Sequence, residues 1–130
     1  MPRLMSVSLT ADAVIQRRKT VTRRLGWRFL RPGDRLTLCR KVMGRKPGEP
    51  LERLADVEVT NVRREPLWDI TDEDVAREAV NPEWFLDRYV DTGLPTPSAW
   101  VEWFCDQMDV DPQTEVTRIE WRYLDPEVTR

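Results

Sequence analysis

Four short segments of this 130-residue chain alternate apolar and polar side chains, and this pattern limits the fold more than any other feature. Alternation with a period of two is typical of strands that bury one face. The segments lie at residues 4–9, 36–42, 53–63 and 115–124. Turn signals flank the second segment, at Pro32-Gly33-Asp34 and at Gly44-Arg45-Lys46-Pro47-Gly48. We therefore predict four strands, of which the second and third pair antiparallel.

Helix signals fill the intervals between these strands. Thr10 is placed to cap a helix over about 11–18. Thr71 precedes an acidic first turn and is placed to cap a second helix. Asn81-Pro82 and Thr96-Pro97 begin two more, which carry aromatic residues at helical spacing.

The predicted fold class is α+β, with a single domain over residues 1–130. A helical insertion over about 81–112 precedes the last strand, and short alternating strands are of the kind that close a small barrel. The insertion's aromatic side chains either pack into the core, which we favour, or cover a cleft as a lid.

Histidine is absent and there are two cysteines, which removes several classes of chemistry. A Ser-His-Asp triad, a His-ligated zinc and a four-cysteine zinc site are all excluded. We expect Cys39 and Cys105 to be reduced thiols that fill the core, and we expect no metal and no cofactor. No apolar stretch approaches the length of a membrane span. A cytoplasmic monomer is the resulting expectation.

The net charge of −2 conceals a strong separation of charge along the chain. Residues 1–64 hold 16 of the 21 basic residues and 6 of the 23 acidic ones, a balance of +10. Residues 65–130 have a balance of −12. A basic face would suit a phosphate-rich partner such as RNA. Alternatively, the two halves attract each other within the molecule.

The segment Lys19-Thr20-Val21-Thr22-Arg23-Arg24 is the densest candidate for chemistry. In a turn or at a helix end, Lys19 and Thr22 would lie on the same side. A desolvated lysine beside arginines has a lowered pKa and can accept a proton from a hydroxyl group. The alternative is a solvated basic turn.

Arg18-Lys19-Thr20-Val21-Thr22-Arg23-Arg24 resembles the Lys-Thr-x-Thr-x-Arg signature of the ASCH family, a branch of the PUA-like barrels. The stretch 29–36, which contains Pro-Gly-Asp, is similar to that family's entry into its second barrel strand. Residues 62–78 resemble a strand followed by the helix that carries an acidic residue toward the family's pocket. The closing strand, with Ile119-Glu120-Trp121, also fits.

The resemblance implies a small PUA-like β-barrel with flanking helices and a cleft lined by the basic motif. ASCH proteins are regarded as RNA-associated, and a small bacterial subgroup hydrolyses the amide of N4-acetylcytidine. The subgroup's lysine, threonine and glutamate match Lys19, Thr22 and Glu78, and its arginine matches Arg24. The family usually has glycine two positions before the lysine, where this chain has Arg17.

Two functions follow as hypotheses, and both use the same cleft. In the first, the protein binds RNA, a nucleotide or a modified nucleoside; its contacts beside Lys19 would be Thr20, Arg23, Arg24, Trp27 and Arg28. In the second, it is an amidohydrolase in which Lys19, Thr22 and Glu78 are catalytic. A metal-independent ribonuclease that uses the same lysine is a weaker third hypothesis. Trp27 would either stack on a base or plug the end of the barrel, and Glu78 would either reach inward or be solvated.

Overall fold

Five strands form one curled, half-barrel sheet in the computed structural model, which describes residues 2–80, 88–89 and 96–124. The strands are β1 (Arg3–Ser6), β2 (Val21–Arg24), β3 (Arg35–Cys39), β4 (Arg53–Pro66) and β5 (Glu115–Tyr123). The helices are α1 (Ala11–Ile15), α2 (Asp72–Glu78) and α3 (Pro97–Met108). Single 3₁₀ turns lie at Ser8–Thr10 and Leu67–Asp69. The predicted α+β class is confirmed.

The strand order is β1-β3-β4-β5-β2, so the two N-terminal strands are the two edges of the sheet. β1 runs parallel to β3, and the other pairs are antiparallel, including the predicted β3–β4 pair. Register shifts at Leu38/Cys39 and Val59/Asn61 bend the sheet. The two edges are joined by a side chain, because Arg24 Nη2 donates to the Ser6 carbonyl oxygen at 2.6 Å. We call this junction of β1 and β2 the seam.

β2 is a strand that the sequence analysis did not predict. It pairs with β5 through Val21–Glu120 to Arg24–Thr117. Its two arginines conceal the alternation that marks a strand, because Arg23 is buried by ion pairs rather than by apolar contacts. The motif from Thr20 to Arg24 is therefore largely extended backbone, and the expected turn or helix end is wrong there.

Several predicted boundaries also move, and the third predicted strand runs to Pro66 rather than residue 63. The first strand ends at Ser6 rather than residue 9, and the second ends at Cys39 rather than Val42. α1 ends at Ile15 rather than residue 18, because Arg17 takes a left-handed conformation with φ of 61°. The Thr71 and Thr96 caps are confirmed, since their side chains accept from the backbone N–H of Asp74 and Ala99. Thr10 makes no such cap.

Two apolar clusters hold the sheet and helices together. The first lies inside the curled sheet and includes Met5, Leu36, Val57 and Ile119. The second lies between α2, α3 and the turn at Leu67–Asp69. Trp100, Trp103 and Phe104 of α3 belong to the second cluster, as we favoured for the aromatic residues of the insertion. The helix predicted to begin at Asn81-Pro82 lies outside the described residues, apart from residues 88–89.

Cys39 is buried and Cys105 is partly buried, and both are free thiols. Within the described ranges, no helix has the length and apolar character needed to cross a membrane.

Candidate active site at the seam

A cleft of about 230 Å³ opens at the seam, and we call it the seam cleft. One part of its lining is the segment from Ser6 to Thr10, and another is Lys19 with β2 residues Thr22, Arg23 and Arg24. Glu78 and Val80 line it at the end of α2. The remaining wall comes from α3 and is apolar: Trp100, Trp103, Phe104 and Met108. The lining of the cleft therefore combines ionisable side chains with aromatic ones.

The backbone around Lys19 is fixed from three sides. Its carbonyl oxygen accepts hydrogen bonds from Trp121 Nε1 at 3.0 Å and from the Tyr123 hydroxyl, both on β5. The neighbouring Thr20 N–H donates to the Arg77 carbonyl oxygen at the end of α2. Arg17 reverses the chain just before this segment through its positive φ. The side chain of Lys19 consequently enters the cleft from a rigid base.

Lys19 and Glu78 form a buried pair whose side chains are 3% and 2% exposed. Lys19 Nζ donates to Glu78 Oε1 at 3.1 Å and to the Glu78 carbonyl oxygen at 2.8 Å. Burial lowers the pKa of the Lys19 amine; Glu78 opposes this effect, and the nearby charges of Arg24 and Arg23 add to it. The amine is thus more readily neutral than a surface lysine. The solvated alternative for Glu78 is wrong, because its carboxylate is buried on Lys19.

Thr22 lies in the same wall, and its residue is 4% exposed. In the part of the chain that the structure describes, no side chain or backbone group hydrogen-bonds its hydroxyl group. Buried hydroxyl groups normally have a partner. A hydroxyl group that lines a cleft without one is available to a ligand or to water.

Arg23 does not contact solvent, which corrects its predicted role as a phosphate or RNA ligand. Its side chain is 0% exposed, and its guanidinium donates to three carboxylates. Nη1 binds Glu78 Oε2 at 3.0 Å, while Nη2 binds Asp74 Oδ2 at 2.6 Å and Glu65 Oε2 at 2.8 Å. A guanidinium enclosed by three carboxylates has neither the access nor the net charge to hold a phosphate group.

Arg118 of β5 completes this cluster. It is the cross-strand partner of Arg23 and binds Asp74 through Nε and Nη2, at 2.6 and 2.9 Å. We call Arg23, Arg118, Glu65, Asp74 and Glu78 the carboxylate network. Burial raises the pKa of Asp74, but hydrogen bonds from Arg118 and Arg23 more than offset this and hold it far below its usual range.

The carboxylate network is the part of the site that sequence reasoning missed. Asp74 was interpreted only as a first-turn acid of α2, and Glu65 and Arg118 carried no signal. The one available clue was charge: the basic half and the acidic half balance each other. The intramolecular alternative for the charge separation is realised at this point.

Of the other predicted nucleic-acid contacts, Arg24 lines the seam cleft, whereas Thr20, Trp27 and Arg28 do not. Arg24 lines the seam cleft, but its Nη2 is bound to Ser6, and burial lowers its pKa against the charge of Glu78. Thr20 does not line the cleft and instead accepts from Arg77 Nε at 3.1 Å. Trp27 packs against the first apolar cluster, as in the barrel-plug alternative, and Arg28 is exposed in the adjoining loop.

No protein-family model matches the chain, and no curated protein matches it either. Solved structures that are similar in fold include two that cover most of this chain. Protein EF3133 from Enterococcus faecalis V583, of the DUF984 family, has a TM-score of 0.56 and 14% identity, over 100% of this chain and 84% of its own. The hypothetical protein PH0355 has a TM-score of 0.59 and 16% identity, over 95% of this chain and 100% of its own.

An ASCH domain from Lactobacillus crispatus JV V101 is also similar, with a TM-score of 0.48 and 12% identity, over 88% of this chain and 70% of its own. The chain therefore shares its fold with EF3133 and PH0355. At these identities the likeness concerns the fold, and the function has to be argued from the site.

Proposed function

We propose that the protein is an amidohydrolase that removes the acyl group from N4-acetylcytidine or a closely related acylated base. The observation that carries the proposal is the seam cleft itself: a buried lysine paired with a glutamate, in one wall with a threonine hydroxyl that has no partner among the described residues. Buried lysines with lowered pKa values serve as general bases, and this combination needs neither histidine nor metal.

The chemistry follows from the roles that these groups can take. The neutral Lys19 amine accepts a proton from the nucleophile, which is the Thr22 hydroxyl or a water molecule that Thr22 holds. Attack on the acyl carbon forms a C–O bond, and the C–N bond then breaks. The N4 atom of cytidine takes a proton from the Lys19–Glu78 pair and leaves as cytidine. Where water is the nucleophile, acetate is released at once; where Thr22 is the nucleophile, one water molecule then hydrolyses the acyl-threonine ester, which releases acetate and restores the hydroxyl group.

The dimensions and walls of the seam cleft suit a single base. A volume of about 230 Å³ is below that of sites for drug-sized ligands, about 300–1,000 Å³. Trp100 and Trp103, only 1% and 5% exposed, make one side of the lining apolar, and flat rings pack well against aromatic side chains. The assignment of the acylated base itself rests on the resemblance of the Lys19–Arg24 motif to the hydrolytic ASCH subgroup.

The test is to incubate the protein with N4-acetylcytidine and to quantify cytidine and acetate. We expect turnover by the wild type and losses of at least about 10²-fold in Lys19→Met and Thr22→Val. Lys46→Met is the matched control, because Lys46 is an exposed lysine outside the cleft. Absence of turnover, or equal turnover in all four proteins, would refute the proposal. The same samples assayed on single-stranded RNA test the ribonuclease hypothesis.

The RNA-binding hypothesis is supported by a different surface. Phe29 is 51% exposed, and the Arg3 guanidinium lies 4.3 Å from its ring centre. Arg28, Arg31 and Arg35 are exposed nearby in the sequence. Exposed aromatic rings among arginines suit single-stranded nucleic acid. Binding through this surface would weaken steeply with salt and would fall in Phe29→Ala; salt-independent binding would refute it.

A further inference from the structure

The carboxylate of Glu78 is held between two cations. Its Oε1 accepts from Lys19 Nζ at 3.1 Å, and its Oε2 accepts from Arg23 Nη1 at 3.0 Å. Both of its oxygens are therefore occupied, and its side chain is 2% exposed. A carboxylate held at both oxygens has one orientation. Its negative charge is shared between the two cations.

Arg23 is itself immobilised by the rest of the carboxylate network. Its Nη2 donates to Asp74 and to Glu65, and Asp74 is bound in turn by two nitrogens of Arg118. Rotation of the Arg23 side chain would break three ion pairs in a buried environment. The guanidinium is thus a rigid contact for Glu78, whereas a flexible surface arginine would not be.

We propose that Arg23 is a positioning residue for the Lys19–Glu78 pair. Arg23 binds the second oxygen of Glu78, so the carboxylate charge is shared between Arg23 and Lys19. Because Lys19 is then less strongly held in its protonated form, its amine can release and regain a proton beside Thr22. The inference deepens the proposed hydrolase function and rests on it for its catalytic meaning. It also gives the burial of Arg23 a role beyond holding α2 on the sheet.

The charges that face Lys19 determine the direction of the effect. They are Glu78 from α2 and Arg23 and Arg24 from β2, and the Tyr123 hydroxyl of β5 binds the Lys19 carbonyl oxygen. Replacing Arg23 with Gln removes a like charge from the surroundings of Lys19. It also leaves Lys19 as the one side chain among the described residues that donates to the Glu78 carboxylate. Both changes favour the protonated amine, so Lys19 should titrate at higher pH.

The measurement is an NMR titration of the lysine side-chain signals, which are few because the chain has three lysines. Lys41 and Lys46, which lie outside the carboxylate network, serve as internal references. In Arg23→Gln we expect the Lys19 midpoint to rise by about one pH unit, and the pH at which kcat increases to rise with it. Arg63→Met is the matched control: it removes an arginine bound to Glu65 but not to Glu78.

A second variant covers the case in which Arg23→Gln does not fold. Arg23→Lys keeps the charge, but an ammonium group cannot reproduce the planar fork that binds three carboxylates. We expect its kcat on N4-acetylcytidine to fall about tenfold while KM changes by less than about threefold. An unchanged Lys19 midpoint in folded Arg23→Gln, or a wild-type kcat in Arg23→Lys, would overturn the inference.

The two proposals fail in different ways. If the wild type does not hydrolyse N4-acetylcytidine, the proposed function is wrong, and the lysine titration still measures the hold of Arg23 on the pair. If the wild type is active and the Arg23→Gln titration and pH profile match it, only the role of Arg23 is wrong.

Discussion

Thr22 and Arg23 are neighbours in β2 and both line the seam cleft, yet their polar groups belong to two different regions. Arg23 enters the carboxylate network, where each charge meets an opposite one. Thr22 lies in the lining of the seam cleft, where its hydroxyl group makes no hydrogen bond to any of the described residues. One short motif therefore supplies both a fully paired guanidinium and a hydroxyl group that faces the cleft. A basic motif in the sequence is therefore not equivalent to a basic surface, because Arg23 is buried in ion pairs that hold the fold together.

Lys19 connects the two regions, and its replacement should separate catalysis from stability. In Lys19→Met we expect activity on N4-acetylcytidine to fall about 10³-fold, equivalent to about 4 kcal/mol. The free energy of unfolding should change by less than about 1–2 kcal/mol, because Glu78 keeps Arg23 as a partner. Turnover assays and urea denaturation measure the two quantities. A large loss of stability would place Lys19 in the structural region instead.

Arg23 should show the opposite pattern in stability. We expect Arg23→Met to lower the free energy of unfolding by about 3–5 kcal/mol, because it leaves buried carboxylates without compensation. Urea denaturation provides the measurement. Arg63→Met is the control, expected to cost less than about 1 kcal/mol because the Arg63 side chain is 52% exposed. Equal effects in the two variants would contradict the comparison.

The carboxylate network should also make the protein sensitive to acid. The pKa of Asp74 is lowered in the folded state, so its contribution is fully present above the ordinary aspartate pKa and is lost as pH falls below it. Asp74→Asn should cost about 2–3 kcal/mol at neutral pH. The difference from wild type should shrink between about pH 4 and pH 2, as denaturation curves at several pH values will show. A difference that does not depend on pH would show that the charge of Asp74 is not what matters.

Arg17 offers the smallest and most local test. It is a basic residue two positions before the Lys19 of the motif, and its φ of 61° suits glycine, the residue usual there in the ASCH family. We expect Arg17→Gly to stabilise the fold by about 0.5–1 kcal/mol, less whatever the Arg17–Tyr123 contact contributes. Ala13→Gly within α1 is the control and should destabilise by about 1 kcal/mol. Thermal denaturation of the two variants gives the comparison.

The sequence predicted the seam cleft better than the carboxylate network, for a physical reason. An inward Glu78 was one of two alternatives because Glu78 flanks the apolar side of α2 near Val75, and helical periodicity indicates such faces. Asp74 could not be placed inward, since an acid in a first helical turn is stabilised by the helix dipole in any protein. Its partner Arg118 is 44 residues away along the chain. Ion pairs between distant segments leave no periodic trace.

Strand β2 was missed for a related reason. Apolar alternation identifies strands that are buried by hydrophobic contacts, whereas Arg23 is buried by three carboxylates. The strands of the first apolar cluster and the Thr71 and Thr96 caps follow local rules and were predicted from the sequence. For the aromatic wall, the sequence favours core packing over a lid on a cleft, because helical spacing does not distinguish a core face from a face that also lines a cleft.

The most direct test of the division within β2 is a crystal structure of Thr22→Val grown with N4-acetylcytidine. The account predicts the base against Trp100 and Trp103, with the acyl carbonyl beside residue 22 and Lys19, and with the Arg23 ion pairs unchanged. A ligand bound elsewhere on the basic surface, or bound directly to Arg23, would contradict it.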